Sequence, residues 1–140
     1  MRILLFIAAI FVFCTSARAE YNLKIIRVID GDTILISAPF LPKELKQTLS
    51  IRINGIDTPE KGKKAKCPYE ENLSQQATAY VQEEIKNGKM IRVKLIKWDK
   101  YGGRVIGDVM INGISLAEKL IAANYAVKYN GKGKKKDWCE

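Results

Sequence analysis

The sequence predicts a small, mainly β domain of the α+β class. Three observations carry this. Five short runs alternate apolar and polar residues and are separated by turn signals. One stretch of helical period lies between the third and fourth runs, and a second follows the fifth. The chain has 140 residues, enough for one compact core and no more. Five short strands with a helix between the third and fourth fit a closed or nearly closed five-stranded β-barrel of the OB type with two helices.

The first two strands are Ile25 to Ile29 and Thr33 to Ile36, on either side of a turn at Asp30-Gly31. Pro39 and Pro42 mark the loop that follows. Leu49 to Ile56 is the third strand. Met90 to Trp98 is the fourth, with Ile91, Val93 and Leu95 on one face and Arg92, Lys94 and Lys97 mostly away from it. Arg104 to Ile111 is the fifth, closing at Asn112-Gly113, a strong hairpin pair. Leu73, Ala77, Val81 and Ile85 recur at helical spacing until Asn87-Gly88 stops the run. Ser115-x-x-Glu118 opens the second helix with a capping-box pattern, and Leu116, Leu120 and Ile121 form its apolar stripe before Asn124. Beyond Tyr129 the chain turns to glycine and lysine, and no regular structure is expected.

Residues 1–19 read as an export signal. Arg2 is the positive start, Ile3 to Phe13 the apolar stretch, and Ala17-Arg18-Ala19 the small-residue cleavage pattern. The stretch is well short of the roughly 20 residues that span a bilayer. An uncleaved anchor is the alternative. Cys14 does not argue for lipidation, because Phe13 stands where such a site wants a small residue. The expected mature domain is therefore 20–140, exported to a periplasm or beyond the cell and without stable membrane association.

The chain carries 24 basic and 15 acidic residues; without Arg2 and Arg18 the mature part keeps 22 against 15, a net charge of +7. Lysines cluster at 61–66 and 132–136 with tyrosines nearby, which points to a polyanionic partner at least as strongly as to a solubility surplus. There is no histidine. This excludes Ser-His-Asp and Cys-His catalysis, two-histidine ribonuclease chemistry and ordinary zinc sites. A hydrolase built from this alphabet has carboxylates, arginines and an oxygen-seeking metal to work with. Once the leader is removed, Cys67 and Cys139 remain and most simply form one disulfide, with two free or intermolecularly paired thiols as the alternative.

Three segments carry the chemistry: Asp30-Gly31-Asp32-Thr33, Arg52 through Asp57-Thr58-Pro59-Glu60, and Asp99-Lys100-Tyr101-Gly102-Gly103-Arg104. Alone, each has an ordinary reading as a turn, a strand exit or a loop. Together they place carboxylates and two arginines at the ends of strand-like runs, a set suited to phosphodiester hydrolysis. Arg52 and Asp57 are five residues apart, so a straight strand would aim them at opposite faces. They converge only if the chain bends, and Gly55 permits a bulge or kink between them.

In order and spacing these segments resemble the thermonuclease, or staphylococcal-nuclease-like, family, from about Tyr21 to Tyr129. The resemblance implies an OB barrel and a Ca²⁺ site made by Asp32, Asp57 and the Thr58 carbonyl. It implies that Glu60 activates water, that Arg52 and Arg104 bind the reacting phosphate, and that Lys100 and Tyr101 contact a neighbouring phosphate. Tyr129 is the better candidate for base stacking and Tyr125 the weaker. Two features depart from the family: the second glycine of Gly102-Gly103 puts an extra residue before Arg104, and the chain ends near Cys139 without the C-terminal third helix. A disulfide from Cys67 to Cys139 would hold the tail in its place.

The resulting expectation is a monomeric, exported, Ca²⁺-dependent endonuclease acting on DNA and RNA with little sequence preference and leaving 3′-phosphates. A non-catalytic OB-fold nucleic-acid-binding module is the alternative.

Overall fold

A computed structural model describes residues 20–21, 23–100 and 102–140. The expected leader, residues 1–19, and Tyr101 lie outside the described residues.

The chain forms a curled half-barrel of mixed strands with two helices. In order the elements are β1 (Glu20–Tyr21), β2 (Ile25–Asp30), β3 (Thr33–Ser37), β4 (Thr48–Ile53), β5 (Ile56–Asp57), a 3-10 turn (Gly62–Lys64), α1 (Pro68–Asn87), β6 (Ile91–Trp98), β7 (Arg104–Ile111), β8 (Ile114–Ser115), α2 (Leu116–Ala122) and β9 (Val127–Lys128). The main sheet runs β1-β6-β7-β4-β3-β2, with β8 hairpinned onto β7. All of its pairs are antiparallel except β4 with β7, where Ser50 meets Arg104 and Arg52 meets Ile106.

The five expected strands are β2, β3, β4, β6 and β7. Their alternation has the physical cause assumed for it. In β4 and β7 every second residue is buried, leaving Ile51, Ile53, Val105, Val109 and Ile111 inside. Ile34, Ile36, Val81, Val93, Leu116 and Leu120 complete the core, and each such side chain contributes on the order of 1.5–3 kcal/mol on burial.

The third expected strand does not run through to Ile56. It stops at Ile53, turns through Asn54-Gly55 with Gly55 at φ +79°, and resumes as β5. Freed from the main sheet, β5 pairs with β9: Ile56 faces Lys128 and Asp57 faces Val127. Helix α1 begins at Pro68, before the apolar recurrence starts at Leu73. Cys67 occupies the N-cap, Pro68 stands in the first turn, where its missing N–H costs nothing, and Glu70 and Glu71 complement the helix dipole. Ser115 caps α2 by accepting from the Glu118 N–H at 3.4 Å. The Asn112-Gly113 turn has both residues at positive φ, as a type I′ hairpin requires.

Candidate active site

One cleft of about 1090 Å³ gathers side chains from all three segments: Asp32, Arg52, Thr58, Glu60, Lys100 and Arg104 line it, as does Tyr129. The parallel β4–β7 pair explains why. Ser50, Arg52, Arg104 and Ile106 project on the face opposite the core, and all four line the cleft. The extra glycine does not disturb this register. Gly102 and Gly103 both adopt φ +70° in the turn, and Arg104 still begins β7.

Asp32 sits in the β2–β3 turn, 5% exposed. Gly31 beside it allows close packing: a Cβ there would meet Ala77 Cβ at 2.9 Å and Thr58 at 3.3 Å, so the turn lies directly against α1 and the β5 exit. Arg52 Nη2 lies 3.0 Å from Asp32 Oδ2, and the Thr33 hydroxyl donates to Oδ1 at 2.8 Å. Burial pushes the Asp32 carboxyl up to about 6, against the Arg52 charge that pulls it down, with Asp30 adding to the rise.

Arg104 donates through Nε to Asp99 Oδ2, while the Asp99 N–H donates to the Arg104 carbonyl at 3.0 Å. Burial pushes Asp99 up, but the hydrogen bond and charge of Arg104 outweigh it and leave the carboxyl below its ordinary value. Bonding through Nε leaves the two Nη groups of the guanidinium fork outside that contact.

Asp57 stands apart from these cleft residues. It is 1% exposed and does not form part of the cleft wall. Trp138 Nε1–H donates to its Oδ2 at 3.3 Å, and Lys135 Nζ lies 2.9 Å from Oδ1. The same ammonium lies 2.7 Å from Glu60 Oε1. Oδ1 otherwise has no hydrogen-bond partner among the described residues. Burial pulls Lys135 down, but the two carboxylates prevail and raise it.

Two residues that sequence reasoning did not single out organise this region. Lys135 is one; its signal was only membership of a lysine run. Glu70 is the other. Although 3% exposed, it accepts from the Glu60 N–H at 3.1 Å and the Lys66 N–H at 2.7 Å, tying the lysine-rich loop to the first turn of α1. Trp98, 63% exposed, also lines the cleft and was not among the expected contacts.

Lys100 reaches the Gly131 carbonyl at 3.5 Å, and the Tyr129 hydroxyl donates to the Gly133 carbonyl at 3.2 Å. Tyr125 packs on Tyr80, ring centroids 5.4 Å apart, and belongs to the core rather than the cleft. Cys67 and Cys139 form a disulfide with Cα atoms 6.1 Å apart, which brings the tail beside the N-terminus of α1. Lys61, Lys64, Lys97 and Lys132 add to the positive rim.

No group of three acidic, cysteine or histidine residues with metal-holding geometry occurs among the described residues. The donors expected there, the Asp32 and Asp57 carboxylates and the Thr58 carbonyl, are all hard oxygens. The buried Oδ1 of Asp57 already draws a cation, the Lys135 ammonium at 2.9 Å. On both counts Asp32, Asp57 and the Thr58 carbonyl fit an oxygen-seeking divalent ion.

Fold and cleft together define an OB-type α+β domain with a carboxylate–arginine site in a basic groove. The family model described as staphylococcal nuclease homologue matches residues 50–139, and the chain belongs to that family. A probable endonuclease, LCL3, of Schizophyllum commune (strain H4-8) is 35% identical over 108 residues, covering 68% of this chain and 35% of that protein. Endonuclease YhcR of Bacillus subtilis (strain 168) is 32% identical over 120 residues, covering 81% of this chain and 9% of that protein. The chain thus spans well under half the length of either relative.

Proposed function

We propose that this protein is an exported endonuclease that hydrolyses phosphodiester bonds of DNA and RNA with little sequence preference, depends on Ca²⁺, and leaves 3′-phosphates. The observation that carries the reading is the convergence of Arg52, Arg104 and Glu60 on one lysine-rimmed cleft with Asp32 beneath it. Family membership and two relatives named endonucleases support it.

Bound at Asp32, Asp57 and the Thr58 carbonyl, a divalent ion would neutralise charge on the phosphate. Arg52 and Arg104 present forked donors to the non-bridging oxygens, and their carboxylate partners Asp32 and Asp99 hold the forks in place before substrate arrives. Glu60 takes the proton of the attacking water once it parts from Lys135. Water oxygen bonds to phosphorus, the bond to the 5′ oxygen breaks, and that oxygen takes up a proton from solvent. Lys61, Lys64, Lys97 and Lys100 hold the flanking backbone, and Trp98 and Tyr129 offer faces for stacked bases.

The test is degradation of labelled single-stranded DNA and RNA by the purified mature protein, with Ca²⁺ and with a chelator. Cleavage that stops on chelation, with 3′-phosphate ends, is the expected result. One observation favours a second reading, a binding-only module: Glu60 is already engaged by Lys135. Tight binding without cleavage at any Ca²⁺ concentration would select it.

A further inference from the structure

We propose that Lys135 is a resident counter-ion that competes with a divalent cation for Asp57, so that the C-terminal strap must shift for the site to load. The inference rests on the Ca²⁺ reading above and adds what sets the affinity.

The strap is held at both ends. Its near end is anchored where the Tyr129 N–H donates to the Gly55 carbonyl at 2.8 Å, and its far end by the Cys67–Cys139 disulfide. Trp138, 4% exposed, fastens it to Asp57 Oδ2 from below. Between the anchors lie Gly131 and Gly133, both in the left-handed region, and no regular element. Between its ends this stretch is tied by single hydrogen bonds, from Lys100 to the Gly131 carbonyl and from the Tyr129 hydroxyl to the Gly133 carbonyl, far lighter fastenings than those at the ends.

Lys135 occupies the position a metal would want. Its ammonium contacts Asp57 Oδ1, which has no other polar partner among the described residues, and Glu60 Oε1 at the same time. With no other ion pair to that oxygen among the described residues, the buried carboxylate needs Lys135 as its compensation. A divalent cation offers the same compensation with twice the charge. The two cannot share Oδ1 at contact distance without strong repulsion. Parting Lys135 from Asp57 also releases Glu60, so loading the ion and freeing the proposed base become one event. Nucleic acid would assist, because its phosphates are an alternative partner for the displaced lysine.

The strength of the effect follows from populations. If the strap is closed about nine times in ten, the apparent ion affinity is about tenfold weaker than the intrinsic one. Calorimetric Ca²⁺ titration of the full, oxidised chain should then show about tenfold tighter binding in Lys135→Gln than in the native protein. Lys135→Arg, which keeps the charge, should stay close to native. In the native protein, Ca²⁺ should also raise amide hydrogen exchange across 132–136, a readout that needs no variant to fold. Equal or weaker Ca²⁺ binding by a folded Lys135→Gln, or strap exchange unchanged at saturating Ca²⁺, would overturn the inference and leave the Ca²⁺ reading standing. Absence of Ca²⁺ binding in both proteins would instead remove the Ca²⁺ reading, and this inference with it.

Discussion

Arg104 and Asp99 close the β6–β7 turn upon each other: the guanidinium Nε donates to the Asp99 carboxylate, and the Asp99 N–H donates back to the Arg104 carbonyl at 3.0 Å. The turn that carries the extra glycine is thereby cross-braced at its base. This reciprocal pair keeps Arg104 aimed into the cleft despite two consecutive glycines at positive φ.

The pair has a pH signature. The folded Asp99 carboxyl is held below its ordinary value of 3.8, so its contribution to stability is full above that value. It is lost as pH falls through the lower, folded value. Asp99→Asn should therefore flatten the acid limb of a stability–pH curve below about pH 4, measured by chemical unfolding, and should leave the neutral-pH slope unchanged. Arg104→Ala should nearly abolish turnover while the circular dichroism of the sheet stays native.

Arg52→Lys and Glu60→Gln should each lower turnover by roughly 10²-fold or more with little change in substrate binding, since both groups act on charge that develops during the reaction. Single-turnover kinetics with a saturating oligonucleotide separate the two effects. Near-native rates for Glu60→Gln, with chemistry limiting, would remove its role as base.

Lys63 and Lys64 are neighbours in the 3-10 turn, but only Lys64 lines the cleft. Lys64→Ala should weaken oligonucleotide binding and lower the salt slope by about one unit, whereas Lys63→Ala should do markedly less. Filter binding across a salt series tests this. Equal effects would mean that the backbone of the ligand crosses both residues.

Replacing Cys139 by serine, or reducing the native bond, should cost about 2–5 kcal/mol in unfolding free energy, as expected for closing so long a loop. Denaturant melts with and without reductant give the value. Peptide mapping without reduction should recover Cys67 joined to Cys139; two free thiols in protein from an oxidising compartment would contradict the pairing.

The long elements were legible because burial on one face imposes a period that a single sequence displays. β4 and β7 bury every second residue, and α1 buries Ala77 and Val81 of the expected stripe. β5 and β9 were not legible as a pair. Two-residue strands carry no period, and their pairing depends on the chain turning at Asn54-Gly55. The cleft residues of the three segments could be read from residue type and spacing, since the segments lie where strands end or begin. Lys135 and Glu70 could not. Their partners lie 75 and 10 residues away, and nothing local distinguishes Lys135 from the lysines beside it.

The disulfide divides the domain in a way that neither the sheet nor the cleft suggests. It joins positions 72 residues apart, turning everything from α1 to Trp138 into a covalent ring. Asp32, Arg52, Asp57 and Glu60 lie on the open arm before the ring, while Asp99, Arg104 and Lys135 lie within it. A pull applied at the two ends of the folded domain reaches only the arm, because the ring withholds some 240–260 Å of contour at about 3.3–3.6 Å per residue. Mechanical strain, as in threading through a pore or a protease, would peel the arm that carries Asp32, Arg52, Asp57 and Glu60 away from the ring that carries Asp99, Arg104 and Lys135 before the ring itself was stretched.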